Sequence, residues 1–208
     1  LDAPHPPYGE TPPEIASRPP SSIVLPEEVP DDPSVRETAR RELTGYYGHI
    51  EATDQAIGCM REEAKKHLDW ENTIFIFTSA HGDMHGSHGH FRKGWPHEES
   101  VRVPLLLSWP HGIESARKDP LLISLLDLGP SLWGLCFPND RLEPVSEKFG
   151  KDLSRAALLK AEGPERQMIS MPSVVPFDKQ CPYAWRASRR IDKTEGVRDD
   201  GTRFTLDH

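Results

Sequence analysis

The sequence predicts an α/β fold in which helices flank a mostly parallel sheet, with a small antiparallel lobe at the C-terminal end. Three observations lead to this prediction. Residues 34–68 carry apolar side chains at steps of three and four, the period of an amphipathic helix. Residues 73–78 and 103–109 are short, continuous apolar runs, which are typical of strands buried on both faces of a parallel sheet. Residues 183–190 and 202–206 flank an Asp-Asp-Gly turn signal and indicate a hairpin.

Composition narrows the classes of function. The 208 residues are enough for one sizeable domain with a small additional lobe. A net charge of -8 argues against a nucleic-acid partner, because nucleic-acid binders usually present a basic face. No apolar run approaches the roughly 20 residues of a membrane span. The three cysteines lack the paired spacing of a zinc site or a disulfide framework. Composition indicates neither a compartment nor an oligomeric state.

The chain divides by composition into three segments. Residues 1–33 hold ten of the 21 prolines and are expected to be an extended segment, since proline excludes helix interiors and central strands. Residues 34–145 contain the helix and both apolar runs of the expected α/β core. Residues 146–208 form the expected small subdomain with the hairpin. Within the first segment, His5 lies between prolines that restrict its backbone, which suits a side chain held in one position.

The remaining elements follow from capping and turn signals. Ser34 and Glu37 form a capping box for the long helix, directly after Pro33. Asp127 is a favourable N-cap for a short buried helix that ends at Cys136. Three shorter elements are also expected: a helical turn at 97–100, a helix at 153–161 and a strand at 168–171.

The loop between the two apolar runs concentrates the reactive side chains. Four histidines lie within ten residues of this loop, His81, His85, His88 and His90, and glycines between them make a continuous helix improbable. Two interpretations stay open, a zinc or copper site and a flexible active-site loop rich in histidine. Lys93 follows the imidazoles and suits a clamp for sulfate or phosphate, although an ordinary surface lysine has the same sequence pattern.

Several motifs together resemble the sulfatase family, within the alkaline-phosphatase-like superfamily. In that family a strand ends in Ser-Asp-His/Asn-Gly-Asp/Glu, and Gly-x-His-Gly, a lysine and Glu-x-x-Arg-x-Pro follow; a Pro-His-x-Pro segment lies upstream. This chain has Ser79-Ala80-His81-Gly82-Asp83, Gly86-Ser87-His88-Gly89, Lys93, Glu99-Ser100-Val101-Arg102-Val103-Pro104 and, upstream, Pro4-His5-Pro6-Pro7. The resemblance implies a partial alkaline-phosphatase-like sandwich that corresponds to the C-terminal part of a sulfatase catalytic domain.

The resemblance also implies site residues and a reaction. His5 and Lys93 match positions that hold the sulfate group, so they are the expected catalytic residues. His81 matches a metal-ligand position, and calcium is the implied cofactor. The implied reaction is hydrolysis of a sulfate ester, and the implied partner is a sulfated small molecule or carbohydrate.

Two departures from the family pattern qualify this expectation. Ala80 replaces an aspartate that binds calcium, and alanine supplies no oxygen ligand. The formylglycine motif, Cys-x-Pro/Ala-x-Arg, is absent from the sequence. We therefore expect an incomplete sulfatase that is inactive alone. Three alternatives stay open: a non-catalytic sulfatase-like binding module, a phosphodiesterase or phosphonate hydrolase of the same superfamily, and transition-metal binding through the histidine-rich loop.

Overall fold

A computed structural model describes residues 4–9, 11–113, 116, 118, 121–139, 150–154, 169–174, 181, 185–189 and 192–207. Its helices are α1 (Pro33–His67), α2 (Glu98–Val101) and α3 (Leu128–Cys136). Its strands are β1 (Phe75–Thr78), β2 (Leu105–Ser108), β3 (Ile169–Val174), β4 (Trp185–Arg189), β5 (Lys193–Arg198) and β6 (Arg203–Asp207). Within these residues no helix has the length and apolar character needed to cross a membrane.

The long helix α1 confirms the predicted helix to within one residue at each end. The expected cap at Ser34 is wrong, because the carboxylate of Asp32 accepts hydrogen bonds from the backbone N–H groups of Ser34 and Val35. Ser34 also donates its hydroxyl to Asp32, so it is a partner of the cap. The buried face of α1 includes Gly45, where an added Cβ would overlap the Tyr8 carbonyl. This close approach seats the proline-rich segment on α1.

Strands β1 and β2 form a two-stranded antiparallel sheet, with Phe75 opposite Ser108 and Thr78 opposite Leu105. The expectation of parallel, doubly buried strands is wrong for this pair. Parallel neighbours need a crossover connection of a dozen or more residues, usually an α-helix that packs on one face of the sheet. The segment that joins β1 to β2 contains only the four-residue α2 and one short 3-10 turn, so the chain returns antiparallel. Leu106 on β2 is 63% exposed.

The C-terminal strands form a four-stranded antiparallel sheet in the order β3-β4-β5-β6. The antiparallel lobe is confirmed, but the predicted pairing of 183–190 with 202–206 is wrong, because β5 lies between β4 and β6. Strand β5 is polar and contains Gly196, so it gives no apolar signal in the sequence. The predicted strand at 168–171 is confirmed as β3, and the predicted helix at 153–161 lies almost wholly outside the described residues.

A small apolar core joins the C-terminal sheet to the histidine-rich loop. Met84 and Trp95 of the loop pack with Cys181, Trp185 and Ala187. The indole N–H of Trp185 donates to the Gly94 carbonyl at 2.6 Å. A salt bridge of 2.7 Å between Arg189 and Glu98 adds a second contact between the sheet and the loop. The C-terminal sheet therefore supports the backbone directly after Lys93.

Candidate functional site

The structure brings together His5 and Lys93, which are 88 residues apart in the sequence. The Lys93 Nζ lies 3.3 Å from the His5 Nε2, and both side chains are accessible. The His5 Nδ1 lies 2.9 Å from the Pro6 carbonyl, an acceptor that favours the tautomer with its proton on Nδ1. In that tautomer the Nε2 lone pair faces the ammonium group. The two residues form a small, exposed cationic pair that an anion can reach.

Tyr8 fixes the segment that carries His5. Its side chain is 4% exposed, and its hydroxyl donates to the Asp83 carboxylate at 2.7 Å. Burial raises the pKa of Tyr8 far above its usual value, and the hydrogen bond to Asp83 and the charge of that carboxylate raise it further. The phenol is therefore protonated at any physiological pH and always able to donate.

Arg92 fixes the loop immediately before Lys93. Its guanidinium forms a two-pronged pair with the Glu42 carboxylate on α1, at 2.6 and 2.8 Å. It also lies over the Tyr8 ring, 5.4 Å from the ring centroid. The hydrogen bond to Glu42 raises the pKa of Arg92 above its usual value. The Arg92 side chain, which belongs to the loop, thus contacts both α1 and the proline-rich segment.

Asp83 is a structural carboxylate in this arrangement. One oxygen accepts the Tyr8 hydroxyl, and the other accepts the backbone N–H groups of His85 and Arg92, at 3.1 and 3.0 Å. Its side chain is 8% exposed. Both oxygens are engaged, so Asp83 does not supply the ligand that Ala80 lacks.

The histidines at positions 81, 85, 88 and 90 differ in their surroundings, although His88 and His90 both lie beside His97. His81 is exposed, whereas His85 is buried beside Tyr46, with ring centroids 4.2 Å apart. Burial lowers the pKa of His85. His90 stacks on Trp95 with ring centroids 3.6 Å apart. His88 lies near His97 and Glu99. His81, His85 and His88 therefore make separate contacts, and the zinc or copper site expected in this loop stays a prediction.

His81 and its neighbours supply few of the ligands that a calcium ion needs. The His81 Nδ1 lies 2.8 Å from the Gly82 carbonyl, which leaves Nε2 as the ligand atom, an arrangement typical of metal-binding histidines. Calcium takes six to eight oxygen ligands. Ala80 supplies none, and both Asp83 oxygens are engaged. The described residues therefore do not form a calcium site without other carboxylates.

Comparison with known proteins identifies the family. The sulfatase family model matches residues 2–136. The chain belongs to the sulfatase family. The predicted membership of this family, within the alkaline-phosphatase-like superfamily, is thereby confirmed. Among curated relatives, an ulvan-active sulfatase of Formosa agariphila is 34% identical over 216 residues, covering 100% of the chain and 40% of that protein. An N-acetylglucosamine-6-O-sulfatase of Bacteroides thetaiotaomicron is 31% identical over 116 residues, covering 52% of the chain and 21% of that protein.

Solved structures extend the likeness to the three-dimensional fold. A structure described as a sulfatase from Bacteroides fragilis superposes with a TM-score of 0.71 at 29% identity, covering 87% of this chain and 39% of that one. A phosphonate monoester hydrolase of Silicibacter pomeroyi gives 0.69 at 21% identity, covering 92% of this chain and 39% of that one, and shows the shared fold alone. This sulfatase-family chain spans 40% of the length of the ulvan-active sulfatase.

Sequence reasoning did not find the residues that hold this site in place. Glu42 resembles any charged residue of an amphipathic helix, and Arg92 resembles a surface cation. Tyr8 was the one residue with a signal in the sequence. It is the single Tyr, Phe or Trp of the proline-rich segment, and such a residue is a natural candidate for packing that segment onto a core. Left-handed backbone at His85, His88 and Arg92 also marks this loop, since such angles are uncommon outside glycine.

Proposed function

We propose that this chain supplies the sulfate-holding part of a sulfatase that acts on a sulfated carbohydrate or sulfated small molecule. The observation that carries the proposal is the 3.3 Å approach of Lys93 Nζ to His5 Nε2 at an accessible surface. The sulfatase relatives support it, because one is named as active on ulvan and another as an N-acetylglucosamine-6-O-sulfatase.

The chemistry proposed for this pair is the binding and stabilisation of negative charge. The Lys93 ammonium donates hydrogen bonds to sulfate oxygens as a full positive charge. His5 accepts from Lys93 through Nε2 when it is neutral, and donates from the same atom when it is protonated. A protonated His5 can therefore stabilise charge on a sulfate oxygen or protonate the leaving oxygen of the ester. Tyr8 and Arg92 keep the two groups within reach of one anion.

The remaining parts of the catalytic apparatus are proposed to come from residues outside this sequence. No Cys-x-Pro/Ala-x-Arg motif is present, so a formylglycine nucleophile cannot arise here. For calcium, this chain offers His81 and no carboxylate at position 80, so we assign no step to the ion. Exposed apolar side chains support the proposal that this chain is part of a larger core. Leu106, Leu126 and Phe137 are each at least half exposed. In that core β1 and β2 would join a mostly parallel sheet flanked by helices.

The proposed division is an extended segment at 1–33, the C-terminal part of the sulfatase core at 34–145 and a small subdomain at 146–208. Activity of the chain alone is tested with p-nitrophenyl sulfate in the presence of calcium. We expect no turnover above the blank, because the sequence contains no nucleophile motif. Turnover well above the blank would contradict this expectation and assign the nucleophile to residues of this chain.

Anion binding by the chain is tested separately by calorimetry with a sulfated monosaccharide. Lys93→Gln should weaken binding about tenfold or more, the equivalent of one charge-assisted hydrogen bond. Lys66→Gln is the matched control, since Lys66 pairs with Glu63 on the exposed end of α1. Equal affinity in the two variants would overturn the assignment of Lys93.

Calorimetry together with the sequence of the full encoded protein distinguishes the alternative functions. A tighter complex with phenyl phosphonate than with the sulfated sugar would favour a phosphonate hydrolase, whose fold this chain shares. A longer encoded protein with an in-frame Cys-x-Pro-x-Arg motif would favour the enzyme. Sulfate binding together with the absence of that motif from the encoded protein would favour a non-catalytic module.

A further inference from the structure

We propose that His88, His97 and Glu99 form a binding site for a transition-metal ion such as Zn²⁺, separate from the proposed sulfate-holding pair. One ligand atom from each of these three residues lies within 4.8 Å of the other two. The His88 Nε2 is already 3.2 Å from a Glu99 carboxylate oxygen. None of these three side chains takes part in the contacts of Tyr8, Asp83 and Arg92 described above.

The ligand chemistry selects the class of metal. Two imidazoles and one carboxylate suit Zn²⁺, which binds nitrogen and oxygen at about 2.0–2.2 Å in tetrahedral geometry. Ligand atoms around such an ion are about 3.3 Å apart, a spacing that the His88–Glu99 pair already has. Calcium needs six to eight oxygen ligands and is a poor match. Three protein ligands leave the fourth position to water or a small anion.

The two imidazole rings need one small rearrangement to bind the same ion. They are stacked, with centroids 4.4 Å apart and planes inclined at 23°, and their ligand nitrogens lie within 4.8 Å of each other. Binding of one ion would bring these nitrogens closer together by rotation of a ring about its Cβ–Cγ bond. This torsion joins a tetrahedral to a planar carbon and has a broad, shallow energy profile. This ring rotation therefore has a low energetic cost.

The backbone under the three ligands is fixed by other contacts. The His88 N–H donates to the Glu28 carbonyl at 2.8 Å, and His88 has a left-handed φ of 55°. The His97 carbonyl accepts the N–H of Ser100 at 3.0 Å at the beginning of α2, and Glu99 lies within that turn. The site is therefore held in place before an ion arrives. Non-glycine residues in left-handed backbone are frequent where a side chain has a function.

An ordinary surface ion pair would explain only part of this cluster. Such a pair needs one histidine and one carboxylate, whereas here a second imidazole stacks on the first. The chain contains an ordinary pair for comparison, His67 and Glu63 on α1, with a 3.8 Å separation and both side chains largely exposed. His67 therefore serves as a matched control for nonspecific metal binding by single histidines.

Calorimetry with ZnCl₂ on the whole chain tests the site. We expect one tight ion per chain and an affinity at least about tenfold lower in His88→Asn, His97→Phe and Glu99→Gln, with no change in His67→Asn. Asparagine tolerates left-handed backbone, phenylalanine keeps the ring stack, and glutamine keeps the shape of glutamate. Thermal melts without metal verify folding. If one variant unfolds at a lower temperature than the native chain, the Zn²⁺ affinities of the other two variants test the site.

Two results would overturn the proposal. In the first, Zn²⁺ affinity stays the same in the folded cluster variants, or falls as much in His67→Asn as in them. In the second, millimolar calcium displaces the bound ion, which would exclude a site selective for transition metals. Co²⁺ provides an independent readout, because an ion bound to two imidazoles and a carboxylate in tetrahedral geometry absorbs visible light. We expect this band in the native chain and its loss in Glu99→Gln.

Discussion

Tyr8→Phe tests whether one phenol holds the proline-rich segment against the loop. The substitution keeps the aromatic ring beside Tyr46, His85 and Arg92 and removes only the hydroxyl that donates to Asp83 at 2.7 Å. One oxygen of a largely buried carboxylate then loses its side-chain partner. Hydrogen bonds to charged groups contribute roughly 1.5–3 kcal/mol to stability. We expect the free energy of unfolding to fall by about 2 kcal/mol.

Urea unfolding at neutral pH, followed by circular dichroism, measures this loss. With a urea slope of about 2 kcal/mol per molar, the midpoint should fall by about 1 M. Tyr47→Phe is the control, since no hydrogen bond of the Tyr47 hydroxyl is present among the described residues, and it should change stability by less than about 0.5 kcal/mol. An equal, small loss in both variants would refute the view that the Tyr8–Asp83 bond fixes this segment.

A double-mutant cycle with Asp83→Asn then separates the bond from its surroundings. In asparagine the single amide oxygen accepts the two backbone N–H groups, and the amide NH2 faces the Tyr8 hydroxyl and donates an uncharged hydrogen bond to it. Charge-assisted hydrogen bonds are roughly twice as strong as neutral ones. The cost of Tyr8→Phe should therefore fall by about half in the Asp83→Asn background. An unchanged cost would show that the hydroxyl acts through packing and not through the carboxylate.

Two further predictions concern helix packing and pH. Gly45→Ala should destabilise the chain by about 1–3 kcal/mol in urea unfolding, because its Cβ would overlap the Tyr8 carbonyl. Gly58→Ala, which meets open space on the same helix, should instead stabilise by about 0.5–1 kcal/mol. Burial holds the pKa of His85 below its unfolded value of about 6.5, so the unfolded chain binds the extra proton first. Stability should consequently be full above about pH 6.5 and fall below it, and this slope should be weaker in His85→Gln. An equal slope in that variant would assign the pH dependence to other groups.

Local sequence patterns predicted the elements better than their pairing. Helix α1 was predictable because its apolar steps repeat over 35 residues. The antiparallel pairing of β1 with β2 was not predictable, because a short apolar run has the same pattern in either orientation. The orientation depends on the segment that connects the two strands. Strand β5 escaped prediction because its residues are polar. Thr194 is an example. It is fully buried, at a position where a strand recognisable from its sequence would have valine or isoleucine.

The site was predictable only where a motif marks it. His5 and Lys93 were named from motif positions, and the 3.3 Å approach between them depends on tertiary structure. The supporting contacts of Glu42 and Arg92 join residues 50 positions apart, and neither residue has a distinctive local pattern. Spacing along the chain did not predict which residues the loop histidines contact, because left-handed backbone at His85 and His88 turns the chain between them.

The hydrogen bond from Trp185 to the Gly94 carbonyl has a consequence for the order in which the protein is made. These residues are 91 positions apart, so the ribosome releases Trp185 long after Gly94. Until then Met84 and Trp95 have no indole partner to cover them. Contacts of such long sequence separation form late, because a long chain segment must close first. The conformation around Lys93 is therefore completed only after β4 has been synthesised, and nascent chains that stop before β4 expose two large apolar side chains close to Lys93.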